Sequence, residues 1–228
     1  MAVWTISDLH LSFGADKPMD IFRGWQDYCQ KIERNWRELI APEDTVVLPG
    51  DFSWGLKLEE TLPDFAFLQS LPGRKLLLKG NHDLWWSTVS KMQKFLDANG
   101  IFSASFVHNN CAVADGMAIC GTRGWFFDDA QSDKKLILRE AGRLDTSIRA
   151  GKATGLPLVV FLHYPPVYDT RVCMEIFDVL RSHDIKRVYC GHIHGRRLSR
   201  AASCHDGVEF LLVSCDAIAF CPVPVVAG

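Results

Sequence analysis

No run of this chain is apolar for long enough to cross a bilayer: the longest, such as Leu156–Leu162, falls far short of the roughly 20 residues a spanning helix needs. The N-terminus lacks a basic segment followed by a long apolar stretch. Met1-Ala-Val-Trp-Thr-Ile-Ser runs straight into a strand-like pattern, so no secretory leader is expected and a cytoplasmic location, away from membranes, follows. A basic excess is missing too. With a formal charge of −2 and a pI near 6.4, no stable nucleic-acid complex is expected. The eight cysteines form no Cys-x-x-Cys pair and no finger-like spacing, which argues against a structural zinc site. Cys120, Cys190 and Cys215 each close an apolar run and are expected as buried, reduced thiols. Internal repeats, low-complexity tracts and Gly/Ser linkers are absent. At 48% hydrophobic and 23% charged, 228 residues are enough for one domain over 1–228 with a full core.

What is present is an alternation of short apolar runs with helical patterns. Ile21, Phe22, Trp25, Cys29, Ile32, Trp36 and Leu39 recur at helical spacing and predict one helix of about five turns. Further helices are expected around Val89–Leu96, Ile137–Ile148 and Val172–Leu180. Between them, Val3–Ile6, Thr45–Leu48, Lys75–Leu78, Leu158–Leu162 and Arg187–Tyr189 read as strands buried on both faces, the pattern of a largely parallel α/β sheet. The short runs at Ser103–Val107, Cys111–Ala114 and Met117–Cys120, with Val208–Val213, predict a second, more antiparallel sheet.

Each of the five buried strands is followed directly by polar residues. They are Asp8 and His10; Gly50-Asp51; Gly80-Asn81-His82-Asp83; His163; and Gly191-His192-Ile193-His194. Open α/β sheets place their ligand crevice at the carboxyl ends of the strands, so one crevice would collect all five sets. Alone, Gly80-Asn81-His82-Asp83 is also consistent with a helix-entry turn, since Asn and Asp favour turns and caps, His163 with a plain strand end, and the last block with a single metal. Imidazoles, carboxylates and one amide without thiolate suit Mn, Fe, Zn or similar divalent ions. So many candidate ligands exceed what one ion with an open position takes, but suffice for two ions sharing a carboxylate, the clamp used for in-line displacement at phosphorus.

In this order and spacing, the five blocks resemble the calcineurin-like metallophosphoesterase superfamily over residues 3 to about 216. The resemblance implies an α/β sandwich of two mixed β-sheets flanked by helices, four layers deep. It implies two divalent metal ions, Mn foremost with Fe or Zn as alternatives: Asp8, His10, Asp51 and His194 on one, Asp51, Asn81, His163 and His192 on the other. His82 would then be the catalytic histidine that holds no metal, and Asp83 would support the turn. The implied activity is hydrolysis of a phosphomonoester or phosphodiester of a small molecule by a hydroxide bridging the ions. A cyclic-nucleotide or other nucleotide phosphodiesterase is the alternative within enzymes. A non-catalytic scaffold on the same fold, like the retromer subunit, predicts eroded ligands, and every position here is filled.

Departures narrow the subclass. Protein Ser/Thr phosphatases of the superfamily carry Gly-Asp-x-x-Asp-Arg-Gly at the second block, where this chain reads Gly50-Asp-Phe-Ser-Trp-Gly55. The carboxylate that orients the catalytic histidine and the arginine that grips phosphate are therefore missing there. The lipid-A-pathway hydrolases tend to carry Arg where His82 stands. The chain is most similar to compact bacterial phosphohydrolases with GNHDLWW-like and CGTRGW-like segments. In the second of these, Arg123 is a candidate substrate-phosphate contact, with Asp128, Asp129 or a helix end as its competing structural partners. Arg196 and Arg197 beside the last block read as a solvated basic patch, with contact of one of them to substrate as the alternative. Among Trp54, Trp85, Trp86, Trp125, Phe126, Tyr164 and Tyr168, two or three are expected at the crevice rim and the rest in the core. Residues 84–155 are expected to wall the site.

Overall fold

The computed structural model of the chain describes residues 1–125, 134–195 and 202–227. In chain order the elements are β1 (Val3–Thr5), α1 (Tyr28–Leu39), β2 (Thr45–Leu48), α2 (Leu62–Ser70), β3 (Arg74–Leu77), α3 (Val89–Ala98), β4 (Ala104–Phe106), β5 (Ala112–Ala114) and β6 (Met117–Thr122). There follow α4 (Lys134–Lys152), β7 (Leu158–Leu162), β8 (Val167–Tyr168), β9 (Arg171–Val172), α5 (Met174–Ser182), β10 (Arg187–Cys190), β11 (Ala202–His205), β12 (Val208–Leu212) and β13 (Val223–Pro224).

Two mixed sheets face each other, flanked by the helices. The first runs β13-β1-β2-β3-β4 and the second β11-β12-β10-β7-β6-β5. Period-2 alternation divides the second sheet's side chains between two cores. Ile119, Val159, Phe161 and Tyr189 join the cluster shared with the first sheet, while Cys120, Val160, Leu162, Val188 and Cys190 pack with residues of α4 and α5. The helices α1, α2 and α3 cover the first sheet through Ile32, Trp36, Phe65, Leu68, Met92 and Leu96.

The sheet assignment from sequence needs correcting. β4 pairs parallel with β3 and so belongs to the first sheet. The second sheet is parallel at its centre (β6–β7, β7–β10, β10–β12) and antiparallel only at its edges (β5–β6, β11–β12). Two of the five buried strands, β7 and β10, thus lie in the second sheet, and the five ligand blocks come from both. Residues 84–155 build α3, β4, β5, β6 and α4, with 126–133 outside the described residues.

The long N-terminal helix is also shorter than its pattern. A short 3₁₀ turn holds Met19–Ile21, and α1 begins only at Tyr28. Gly24 and Asp27 sit in left-handed backbone (φ 95° and 54°), which breaks a helix between them. The break lets Trp25 pack against His10, His194 and Phe220. Ile21 and Phe22, read as part of the buried stripe, are instead 75% and 52% exposed. Val172 lies in β9, since α5 starts after Cys173. α2 left no helical signature because apolar Leu62, Phe65, Phe67 and Leu68 fall around it rather than along one face.

Candidate metal centre

The sheets are stitched together at their carboxyl ends, and the candidate site lies on the seam. Past β1, Ser7 N–H donates to the Val213 carbonyl (2.8 Å) and the Ser7 carbonyl accepts from Cys215 N–H (2.9 Å), bridging the two sheets. Past β2, the chain pairs with the same loop: His10 N–H donates to the Asp51 carbonyl at 3.0 Å. Asp83 then ties in the loop after β3. Its buried carboxylate accepts from the N–H groups of Gly80 (2.7 Å), Asp51 (2.9 Å) and Phe52 (3.0 Å) and from the Trp85 indole (3.1 Å). That is the turn-supporting role read for it from sequence.

The packing at two glycines is decisive. A Cβ on Gly80 would land on the Asp51 carboxylate, and one on Gly191 would lie 2.5 Å from Asp8 Oδ2. Only a residue without a side chain lets the third and fifth loops approach the carboxylates this closely. Asp8, His10, Asp51 and His192 all adopt left-handed backbone, with φ between 47° and 71°. Asp and His tolerate this region better than most residues, and such conformations gather at functional sites.

Seven of the sequence-predicted residues converge. Asp8, His10 and His194 present ligand atoms within 4.8 Å of one another, as do Asp8, Asp51 and His163. His10 Nε2 lies 3.2 Å from His194 Nε2, 4.0 Å from Asp8 Oδ1 and 3.8 Å from Asp51 Oδ2. On the other side, His163 Nε2 lies 3.4 Å from Asp51 Oδ2 and 2.6 Å from Asn81 Oδ1, and His192 Nδ1 lies 3.0 Å from the same amide oxygen. Asp51 Oδ2 therefore faces both donor sets, while Asp51 Oδ1 accepts from His82 N–H (2.8 Å).

The chemistry of these donors fits divalent cations. His163 Nδ1 sits 3.0 Å from the Pro49 carbonyl, which can only accept, so Nδ1 carries the ring proton. Burial, then the neighbouring histidines, hold His163 well below its usual pKa, so the ring is neutral. Its bare Nε2 consequently points at the oxygens of Asn81 and Asp51, a convergence of lone pairs that a cation resolves. Burial likewise pushes His10 well down. It raises Asp8 to about 6, and raises Asp51 well above its ordinary value, helped there by Asp8 and Asp83. Among the described residues, the only basic groups paired with these two carboxylates are histidines.

His194 differs from its neighbours. Burial alone would lower it, but its Nδ1–H bond to Asp216 (2.9 Å) and the charges of Asp8 and Asp216 outweigh that and raise it. Asp216 fixes Nδ1 as the protonated nitrogen and leaves Nε2 toward Asp8 and His10. Sequence reading missed Asp216, although it follows β12 as the other polar sets follow their strands. The Tyr28 hydroxyl, which holds the His10 carbonyl at 3.0 Å, left no signal of its own.

His82 is half-buried, and its ring packs against aromatic neighbours: Trp54 at 4.4 Å and His10 at 5.6 Å between centroids. Burial, then the charges of Lys17 and His194, lower its pKa. Trp54 in turn stacks on His10 at 4.8 Å and 22°. Tyr164 packs on His192 at 4.3 Å, so these two aromatics meet the ligand set. Trp85 is buried against Phe52 and Phe65, and Trp86 packs on Phe106.

Arg123 lies at the carboxyl end of β6, and its carbonyl accepts from Tyr164 N–H, next to His163. Its guanidinium stands over Trp125 (4.9 Å) and 3.7 Å from buried Glu140, which Arg143 (2.7 Å) and the Thr122 hydroxyl (2.8 Å) also hold. Arg123 Nε is buried without a hydrogen-bond partner among the described residues. Phe126, Asp128, Asp129, Arg196 and Arg197 lie outside the described residues.

Comparison with known proteins follows the same lines. The family model described as calcineurin-like phosphoesterase matches residues 1–196. The gene 66 protein of Mycobacterium phage D29 is 32% identical over 120 residues, covering 43% of this chain; the match spans 58% of that protein's length. Among solved structures, TT1561 of Thermus thermophilus superposes with a TM-score of 0.58 at 12% identity, over 98% of this chain and 97% of that one. AQ665 of Aquifex aeolicus, a protein of unknown function, gives 0.53 at 18% identity over 98% and 95%. The phosphopantetheinyl hydrolase PptH of Mycobacterium tuberculosis gives 0.53 at 13% identity over 99% and 95%. At these identities the likeness is one of fold.

Proposed function

The chain belongs to the calcineurin-like phosphoesterase family, and from that premise we propose that it hydrolyses a phosphomonoester or phosphodiester of a small molecule with two divalent metal ions. Asp8, His10, Asp51 and His194 would hold one ion; Asp51, Asn81, His163 and His192 would hold the other. Mn, Fe and Zn all suit this set of oxygens and imidazoles. The observation that carries the reading is Asp51 Oδ2, which lies 3.8 Å from His10 Nε2 and 3.4 Å from His163 Nε2 and so can serve both ligand sets. Divalent ions held by these residues would supply Lewis acidity and an activated water.

The remaining work falls to the protein. Asp83 fixes the Asp51 loop by accepting from backbone and indole N–H groups, and Pro49 and Asp216 set the ring protons of His163 and His194. His82, which has no ligand role, delivers the proton to the departing ester oxygen, steadied by Trp54 rather than by a carboxylate. Arg123, whose backbone carbonyl is tied to Tyr164 beside His163, supplies its guanidinium as a contact for the substrate phosphate.

The test is metal analysis of protein purified without chelator, together with a screen of phosphomonoesters, diesters and nucleotides. Two equivalents of metal and turnover of at least one ester are expected. An empty protein that stays inactive after addition of Mn, Fe or Zn sinks the proposal.

A further inference from the structure

Beside Trp54 lies an open groove of about 360 Å³, lined by Pro18, Met19, Ile21, Phe22 and Trp54, with Asp16 and Lys17 as its charged members. That volume falls within the range of small-molecule sites, which are characteristically apolar with a few polar groups. The exposure of Ile21 and Phe22 is otherwise hard to account for. Their spacing continues the buried stripe of α1 toward the N-terminus, yet α1 begins only after them, at Tyr28, and they stand in solvent at 75% and 52%. Where a local pattern and the fold disagree in this way, a functional use is the expected reason.

One side chain, Trp54, is shared between the groove and the metal centre. It lines the groove, stacks on His10 and touches His82. The ammonium of Lys17 stands 4.7 Å from the centroid of the Trp54 ring. Trp54 Nε1 is buried without a hydrogen-bond partner among the described residues.

We propose that this groove is the leaving-group subsite, and that the natural ester carries an apolar alcohol, an alkyl chain or an aromatic ring, laid over Trp54 against Ile21 and Phe22. The assignment rests on the hydrolase reading above. Phosphate belongs at the ligand cluster; the group beside His82 is the alcohol whose oxygen takes up the proton as the P–O bond breaks. An apolar wall on that side selects apolar alcohols, and Lys17 over Trp54 discourages cationic ones.

The test compares n-butyl and n-octyl phosphate, whose alcohols leave with nearly equal difficulty. Full burial of a methylene favours binding about fourfold; in a half-open groove, kcat/KM for the octyl ester should exceed that for the butyl ester on the order of tenfold. In Phe22→Ser and Ile21→Ser, both changes at exposed positions, the ratio should fall toward one. Independently of turnover, octylphosphonate should bind more tightly than butylphosphonate by calorimetry. It should also shift the Trp54 indole resonance, assigned by its loss in Trp54→Phe.

Equal kcat/KM for both esters, with no indole shift, overturns the groove and leaves the hydrolase reading intact. No turnover of any ester, with a chain-length-dependent indole shift, overturns the hydrolase reading and retains an apolar ligand site. If Phe22→Ser instead converts a dimer to a monomer in sedimentation while the octyl/butyl ratio stays as in wild type, a second copy of the chain occupies the groove and the proposal fails.

Discussion

Charge is buried in two very different ways in this protein. At the crevice, Asp8 and Asp51 are shut away side by side with histidines, and among the described residues no Lys or Arg pairs with either carboxylate. Within the first sheet, Lys75 on β3 is completely buried, with its ammonium on the Leu71 carbonyl and 6.0 Å from the Trp36 ring centroid. Burial, then the charge of Arg37, lower its pKa to about 8. The first arrangement calls for cations from outside the chain, whereas the second closes on itself with a carbonyl and an aromatic face. Buried charge marks function here only where the chain does not itself supply the compensating partner.

The largest effect should follow from removing the carboxylate that faces both ligand sets. Asp51→Asn keeps the size and the left-handed backbone but cannot balance two divalent charges. Metal analysis should find at most one ion, and ester turnover should almost vanish while the thermal transition remains cooperative. Wild-type stoichiometry and rate in this variant would remove Asp51 from the shared position.

Next comes the one crevice histidine outside the ligand set. His82→Ala should slow hydrolysis of an alkyl phosphate by about 10²–10⁴-fold, the usual span of general-acid assistance. An activated aryl phosphate, whose leaving group departs without a proton, should lose markedly less, at unchanged metal content. Equal losses on the two esters would instead assign His82 to stabilising the phosphoryl oxygens, worth about 10²–10³-fold. Released metal would make it a ligand.

Lys75 supplies the opposite pole. Its folded pKa lies below that of the unfolded chain, so the unfolded state binds more protons between about pH 8 and 10.5 and stability rises with pH across that window. Below pH 8 the burial penalty acts in full. Lys75→Met should therefore stabilise the protein by about 1–2 kcal/mol at pH 7, after allowance for the lost bond to Leu71. The gain should shrink as the pH approaches 10.5. Denaturant melts at pH 7 and pH 10 measure this directly, and a gain independent of pH would show that the ammonium is not what the variant relieves.

Arg123 stands between the two cases, close to the crevice yet sharing Glu140 with Arg143. If it grips phosphate in the ground state, Arg123→Ala should raise KM about fivefold with kcat nearly unchanged. A lower melting temperature with unaltered KM would confine it to the Glu140 cluster.

Much of this was legible before any coordinates, for identifiable reasons. Strands buried on both faces read as plain apolar runs, so β2 and β7 match the sequence expectation residue for residue and the polar sets after them stood out. Assigning strands to sheets was less secure, because pairing is a long-range choice that local pattern does not encode; β4 went to the wrong sheet on proximity alone. The N-terminal helix was overextended because Trp25 answers to the crevice rather than to helical periodicity. Asp216 and the Pro49 carbonyl act through histidines distant in sequence, which only the folded chain brings beside them. Arg123 was singled out as an unusual loop arginine, but its partner Glu140, in the middle of α4, carried no local sign.

The left-handed turns at Asp8, His10, Asp51 and His192 bear on how any mutational survey of this crevice should be read. For an ordinary side chain that backbone geometry costs roughly 1–2 kcal/mol, which Gly escapes and Asn and Asp evade most readily. Alanine at Asp8 or Asp51 would therefore disturb the main chain as well as delete a donor, and a scan with alanine would overstate the chemistry at these positions. Asparagine isolates the charge. Glycine isolates the side chain and relaxes the turn, so the gap between the Gly and Ala variants at one position measures how much of the apparent loss belongs to the shape of the loop.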